Sequence, residues 1–350
     1  MDIIKKLSSA GNLTDDELKI LLERNEFDQE LFCAANEVRK KVYGNEVFIR
    51  GLIEISNHCK NNCYYCGIRR NNNSLCRYRL SEEQILSCCE AGYSIGFKTF
   101  VLQGGEDDYF SDSLVCKIVS KIKTRFPDCA ITLSLGEKSK KSYQSFFDAG
   151  AERYLLRHET ANPNHYSKLH PKDMSLERRI QCLCDLKEIG YQVGSGFMVG
   201  SPYQTTKNII SDLRFLQKLS PHMIGIGPFL SHRQTPFSNF EDGSFALTLK
   251  LISILRIMFP TALIPATTAL GTISENGREL GIKAGANVVM PNLSPTNTRA
   301  LYSLYENKLC TDEESAQNLE DLKKQMKKLG YKIALSRGDP KNFLNKNEDI

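Results

Sequence analysis

Three cysteines carry the strongest chemical signal in the chain. The run Ser56-Asn57-His58-Cys59-Lys60-Asn61-Asn62-Cys63-Tyr64-Tyr65-Cys66-Gly67 spaces them as C-x3-C-x2-C, with an aromatic residue before the third. Three thiolates from one loop can hold three irons of a cubane and leave the fourth iron without a protein ligand, whereas fully ligated ferredoxin-type sites use four cysteines. The alternative is a zinc knuckle that takes His58 as its fourth ligand, although structural zinc usually joins two knuckles separated in sequence.

Further residues of chemical type stand where apolar runs end. Val101-Leu102-Gln103-Gly104-Gly105-Glu106-Asp107 closes one run with a glycine pair and two carboxylates. Bare glycine backbone lets a ligand approach closely, and an ordinary turn would use it equally well. Thr132-Leu133-Ser134-Leu135-Gly136-Glu137 ends another run near Ser134, and Tyr154-Leu155-Leu156-Arg157-His158-Glu159-Thr160 delivers Arg157 and Glu159 together. Charged residues at a barrel strand end are seldom there for stability.

These residues need a scaffold, and the hydrophobic pattern supplies one. Short apolar or β-branched runs recur at 47–55, 99–103, 130–135, 153–157, 193–199, 223–227, 263–266 and 288–290. Helical patterns fill the intervals at 81–93, 111–125, 141–149, 175–188, 205–218, 247–259, 274–281 and 298–305. Eight βα units in succession predict an α/β fold, an all-parallel sheet closed into a TIM-type (β/α)8 barrel with its functional residues at the C-terminal strand ends. Two helices precede it between residues 13 and 43, the first opened by a Thr14–Glu17 capping box. The expected division is 1–45 for the helical lead, 46–305 for the barrel and 306–350 for a C-terminal helix and a polar tail, frayed from Ala334 onward.

Composition narrows the class. At 350 residues, 41% hydrophobic and 25% charged, the chain is not a disordered or fibrous protein. No apolar stretch is long enough to span a bilayer, and Met1-Asp2-Ile3-Ile4-Lys5-Lys6 lacks an export pattern, so a cytoplasmic protein is expected. The net charge of +5 is scattered among acidic residues and does not point to nucleic acid. Twelve cysteines in a reducing compartment are not a disulfide framework. Cys33, Cys76, Cys88, Cys89, Cys116, Cys129, Cys182 and Cys184 fall mostly in helical patterns and read as core or surface thiols.

The cysteine loop and the glycine–glutamate motif resemble those of the radical S-adenosylmethionine enzymes. Within that superfamily the chain resembles the radical maturases of FeFe-hydrogenase over nearly its whole length. The supporting segments are Arg77-Tyr78-Arg79-Leu80, Leu156-Arg157-His158-Glu159-Thr160-Ala161-Asn162-Pro163 and Gly196-Phe197-Met198-Val199-Gly200. Ile224-Gly225-Ile226-Gly227-Pro228-Phe229, Ile264-Pro265-Ala266-Thr267-Thr268-Ala269 and Ala286-Asn287-Val288-Val289-Met290-Pro291-Asn292 extend the series. The resemblance implies a 4Fe–4S cluster on Cys59, Cys63 and Cys66, with S-adenosylmethionine at the open iron. It implies cofactor contacts from Gln103, Gly104, Gly105, Glu106, Ser134, Glu159, Arg179 and Met198. Glu159 would meet the methionine amine or the ribose, and Arg179 the methionine carboxylate. Without the resemblance, Arg179 in Glu177-Arg178-Arg179 reads as solvated and Met198 as core filler.

On the substrate side the resemblance implies Arg50, Arg153, Arg157, Thr267, Thr268 and Tyr302, facing a small organometallic iron–cysteine complex that carries carbon monoxide and cyanide. An arginine inside a barrel must be paired or hold an anion; the arginines and the Thr267–Thr268 pair suit an anionic guest, and internal pairing with Glu54 and Glu152 is the alternative. The implied partners are an electron donor such as ferredoxin or flavodoxin and the HydG and HydF maturases. Many members carry a second cluster on three C-terminal cysteines. Here Cys310 stands alone and no cysteine follows it, so one cluster per chain is expected. Two other classes stay in view: a radical carbon-skeleton mutase resembling methylornithine synthase, and a non-catalytic zinc-binding protein.

Overall fold

The computed structural model describes residues 3–309 and 319–341. Helices α1 (Ile3–Ala10), α2 (Asp15–Glu23) and α3 (Asp28–Tyr43) lead into β1 (Glu46–Ile49) and β2 (Gly51–Ser56). Then α4 (Glu82–Ser94), β3 (Thr99–Gly104), α5 (Asp112–Arg125), β4 (Ala130–Ser134), α6 (Lys140–Asp148) and β5 (Arg153–Leu155) alternate. Next come α7 (Pro163–Leu169), α8 (Leu176–Ile189), β6 (Gln192–Ser195), β7 (Met198–Val199), α9 (Thr206–Leu219), β8 (Met223–Ile224) and β9 (Gly227–Pro228). The rest is α10 (Phe245–Met258), α11 (Thr268–Ile273), α12 (Gly277–Lys283), β10 (Val288–Val289), α13 (Thr296–Arg299), α14 (Leu319–Lys328) and β11 (Lys332–Ala334).

Parallel pairing runs β2-β3-β4-β5-β6-β8. Met223 then bridges to Leu263, Pro265 bridges to Val288, and β10 returns to β1. The ring is closed, the barrel that the βα rhythm predicts. Strands buried on both faces read as continuous apolar runs, and all six residues of β2 are buried. The outer helices start where a hydroxyl can accept the N3 amide, at Ser81, Ser111, Ser139, Ser175, Thr205 and Ser244. No helix among the described residues is long and apolar enough to cross a membrane.

The N-terminal helices cover the outer ring. Residues Thr248 to Met258 of α10 are all buried, because α3 and α1 lie across that helix. Its one buried ammonium, Lys250, is met by Asp28 at 3.0 Å and by the Arg24 carbonyl at 2.8 Å. Cys88, Cys89, Cys129 and Cys182 are buried, whereas Cys33, Cys76 and Cys184 are exposed. Cys310 lies outside the described residues.

Helices α1 and α7 are additions to the expected pattern, and two stretches near the barrel ends depart from it. The expected helix at 298–305 ends with α13, and residues 301–309 run irregularly. Their backbone carbonyls serve the cysteine loop instead of a helix: Asn57 Nδ2 donates to Leu301 O at 2.8 Å and Gly67 N to Leu304 O at 2.7 Å. The expected fraying from Ala334 is also corrected as far as residue 341, and residues 342–350 lie outside the described residues. Strand β11 pairs with β1, and Asp339 closes the N-terminal end of the barrel, accepting from Arg153 Nη2 at 2.7 Å and Gln192 Nε2 at 2.8 Å.

Candidate active site

The site begins with the loop after β2. Arg77 holds it from within, donating to the carbonyls of Asn57, Ile68, Arg69 and Asn72. One half-buried guanidinium thereby replaces the regular hydrogen bonding that an irregular loop lacks. Arg79 grips Asp107 through two nitrogens, at 2.7 and 2.9 Å, and Ser56 Oγ donates to the same carboxylate at 2.6 Å. These bonds lock the cysteine loop to the turn that carries the glycine pair. Gly105 is required there, because a Cβ would overlap the His58 carbonyl and the Cys59 side chain.

Cys59, Cys63 and Cys66 line one wall of a cavity of about 380 Å³. Burial pushes all three thiols up, Cys66 to about 12, and each of Cys63 and Cys66 is further opposed by neighbouring thiols. Such a triad ionises only against a cationic partner. No group of three His, Cys, Asp or Glu side chains among the described residues is arranged to hold a single metal ion. The three thiols share this cavity, and His58 does not line it, so the fourth ligand of the zinc arrangement is not presented there.

Around the thiols stand the polar groups from the strand ends. Gln103, Gly104, Gly105, Glu106, Ser134, Glu159, Arg179 and Met198 all line this cavity. Glu106 Oε1 accepts from Glu137 N at 3.0 Å. Gly136, at φ +76°, leaves the space that this carboxylate fills. Arg179, on α8, is buried and ion-paired with Glu137 at 2.8 Å, so it is not the solvated residue its neighbours suggest. Burial works against its charge, but Tyr166, Glu137 and Glu106 outweigh it and hold the guanidinium protonated.

Glu159 sits in a left-handed backbone conformation, φ +64°, uncommon for a residue with a side chain. Its neighbours enforce it. His158 is fully buried, with Nδ1 2.9 Å from Ser195 Oγ and Nε2 3.5 Å from Asp212. The same Asp212 accepts the Ala161 amide, and Glu159 N donates to Gly196 O at 3.1 Å. The Glu159 carboxylate pairs with Arg157 at 3.1 Å. Arg157 Nε is buried without a hydrogen-bond partner, and an unsatisfied group beside a cavity fits a polar ligand.

Arg157, Thr267, Thr268 and Tyr302 line the cavity too, but Arg50 and Arg153 do not. Arg153 lies on the face expected for it, at the wrong end of the strand, where Asp339, Gln192 and the Arg337 carbonyl take its donors. Arg50 is also buried there, within reach of Met223 Sδ at 2.9 Å. Of the expected acidic partners, Glu152 pairs with Arg337 and Lys123 rather than with a cavity arginine. Glu54 pairs with Lys308, a cavity residue that no motif announces. A lone glutamate inside the apolar run Leu52-Ile53-Glu54-Ile55 was the available signal for Glu54. Tyr65, whose hydroxyl is 3.1 Å from His170 Nε2, also lines the cavity.

Comparison with known proteins agrees with this geometry. The model of the Radical SAM superfamily matches residues 53–216. The FeFe hydrogenase maturase subunit HydE of Thermotoga maritima is 46% identical over 333 residues, covering 95% of this chain and 94% of that protein. The 3-methylornithine synthase of Methanosarcina barkeri is 32% identical, covering 94% of this chain and 93% of its own. The crystal structure of methylornithine synthase (PylB) matches with a TM-score of 0.83 at 30% identity, over 95% of this chain and 97% of that one. By descent and by fold, the chain belongs to the radical S-adenosylmethionine superfamily and, within it, to the HydE family.

Proposed function

We propose that the chain cleaves S-adenosylmethionine reductively and acts on a small organometallic iron–cysteine precursor during assembly of the FeFe-hydrogenase diiron site. The observation that carries this reading is a single cavity with two regions. The thiols of Cys59, Cys63 and Cys66 lie beside Glu106, Ser134, Glu159 and Arg179, and Arg157, Thr267, Thr268 and Tyr302 share the same enclosure. A 4Fe–4S cluster with S-adenosylmethionine at its open iron would supply one-electron cleavage of the sulfonium and a 5'-deoxyadenosyl radical.

The protein's own part is placement. Cys59, Cys63 and Cys66 would hold the cluster. Arg179, kept charged, would hold the methionine carboxylate, and Glu106 and Glu159 the amine and ribose, with Gln103, Gly104, Gly105, Ser134 and Met198 packed around them. Arg157, Thr267, Thr268 and Tyr302 would face the substrate. We assign one cluster per chain, an electron donor such as ferredoxin or flavodoxin, HydG and HydF as partner maturases, and a reducing cytoplasmic setting.

The test is anaerobic. Reconstituted protein is incubated with S-adenosylmethionine and reductant, then added with HydG and HydF to apo-hydrogenase. The expected result is 5'-deoxyadenosine together with restored hydrogenase activity. Absence of 5'-deoxyadenosine would refute cleavage. Cleavage with a rearranged amino acid as product and no hydrogenase activity would assign a mutase.

Glu159→Gln separates placement from cluster assembly. It should weaken S-adenosylmethionine binding by about 1.5–3 kcal/mol, the contribution of one hydrogen bond to a charged group, while iron content stays at the wild-type value. Calorimetric titration beside an iron assay checks both, and unchanged affinity would remove Glu159 from the cofactor site.

A further inference from the structure

Glu54 and Lys308 form an ion pair inside the cavity that cluster binding and cofactor placement leave unused. Glu54 is fully buried on β2, and Lys308 reaches it from the irregular stretch after α13, with Nζ 2.5 Å from Glu54 Oε1. Both residues line the cavity. The Lys308 side chain is 7% exposed and that of Glu54 0%, so each charge depends on the other for its stability there. Desolvation makes such a pair a weak stabiliser, and removing one member leaves a costly uncompensated charge.

Each partner has spare hydrogen-bonding capacity. Lys308 Nζ also donates to the Tyr302 carbonyl at 2.9 Å, which leaves one of three ammonium hydrogens. Asn292 Nδ2 fixes Glu54 Oε2 at 3.0 Å, so the carboxylate stays in place if its other oxygen changes partner. A third group points the same way: Thr267 Oγ1, on the same cavity, is buried and has no hydrogen-bond partner.

The charges select a class of ligand. A purely anionic ligand would draw Lys308 away and leave the Glu54 carboxylate buried with one amide. A purely cationic ligand would strand Lys308 in the same way. A ligand that carries both an ammonium and a carboxylate exchanges one paired arrangement for another, with no buried charge left over. We infer that Glu54 and Lys308 form a recognition site for the α-amino acid head of the substrate, with Glu54 facing its ammonium and Lys308 and Thr267 its carboxylate. The inference rests on the proposed function in placing the substrate in this cavity, and it adds which side chains read which end of it.

The experiment uses reconstituted enzyme saturated with S-adenosylmethionine, so that the open iron is not available to the probes. Three probes are titrated calorimetrically: S-methyl-L-cysteine, 3-(methylthio)propionate, which lacks the amine, and 2-(methylthio)ethylamine, which lacks the carboxylate. Wild type should bind the first about tenfold or more tightly than either of the others, as one charge-assisted contact predicts. Lys308→Met should reverse the order of the amino acid and the amine, because Glu54 is left unpaired. Glu54→Gln should reverse the order of the amino acid and the acid. Lys308→Arg, which keeps the charge and guards against misfolding as an explanation, should preserve the wild-type order. Equal loss of all three affinities in the variants would assign the pair to scaffolding and overturn the inference, as would a wild type with no preference among the probes. 5'-Deoxyadenosine and hydrogenase activity are measured in the same wild-type preparations. If they appear while the order of probes is insensitive to the variants, the recognition site falls and the proposed function stands. If they fail while the order changes as described, the reverse holds.

Discussion

Cys63→Ser should yield protein that folds but holds no cluster and forms no 5'-deoxyadenosine above background. Two thiolates cannot carry a cubane that is already open at one iron. The wild-type thiol is buried between Cys59 and Cys66 electrostatically, with burial and both neighbours pushing it well up, so the triad is assembled for a cationic inorganic partner. A serine hydroxyl, far less acidic than a thiol, gives no comparable ligand. Iron per chain, the visible absorbance of the cluster and deoxyadenosine yield are the readouts. Cys184→Ser, at an exposed position, is the control and should match wild type in all three. Full cleavage activity in Cys63→Ser would refute the cluster assignment.

Arg153→Ala should destabilise the fold without weakening cofactor binding. The guanidinium is fully buried, donating to Gln192 Oε1 at 2.8 Å, Thr99 Oγ1 at 3.2 Å and Asp339 Oδ1 at 2.7 Å. Breaking a buried pair typically costs about 3–5 kcal/mol. The lower end, about 3 kcal/mol, is expected because Arg337 still donates to Asp339 at 3.0 Å. Burial alone would raise the Asp339 carboxyl, but Arg153, Gln192 and Arg337 outweigh it and hold it well below the usual carboxylate range. A depressed carboxyl stabilises the fold above its unfolded pKa of about 3.9, and that contribution is lost as pH falls through the folded value. The urea midpoint of Arg153→Ala should therefore drop at neutral pH and converge toward wild type in strong acid. Lost S-adenosylmethionine affinity at unchanged stability would return Arg153 to the cavity.

The two ends of one strand explain why that arginine misleads. Residues two apart share a face of a strand, so Arg153, Leu155 and Arg157 are equivalent by alternation. Only Leu155 and Arg157 line the cavity. Alternation tells which face a residue takes and nothing about depth, and depth depends on what plugs the other end. Here the plug is Asp339, 186 positions away in sequence. A polar stretch reads as a frayed tail until a buried arginine is found waiting for it.

Local chemistry was legible wherever function and spacing coincide. The C-x3-C-x2-C loop follows directly on a strand, and the glycine pair before Glu106, Ser134 and the Arg157–Glu159 pair lie within a few residues of a strand end. A βα barrel delivers all such ends to one face. The periodic alternation of apolar runs and capped helices likewise specified the closed parallel ring, because each unit states its own burial pattern.

What the sequence by itself determined is therefore the barrel, and the three cysteines and strand-end polar groups that come to line one cavity, since each follows from position relative to a strand end. Tertiary structure decided the rest. It placed Arg153 and Arg50 outside the cavity, moved Arg179 from an apparent surface run to a buried pair with Glu137, and brought Lys308 to Glu54 across 254 positions. For Arg153, Arg179 and Lys308 the cost of a buried charge forces each one to a partner wherever the fold can supply it, and no spacing along the chain reveals where that partner stands.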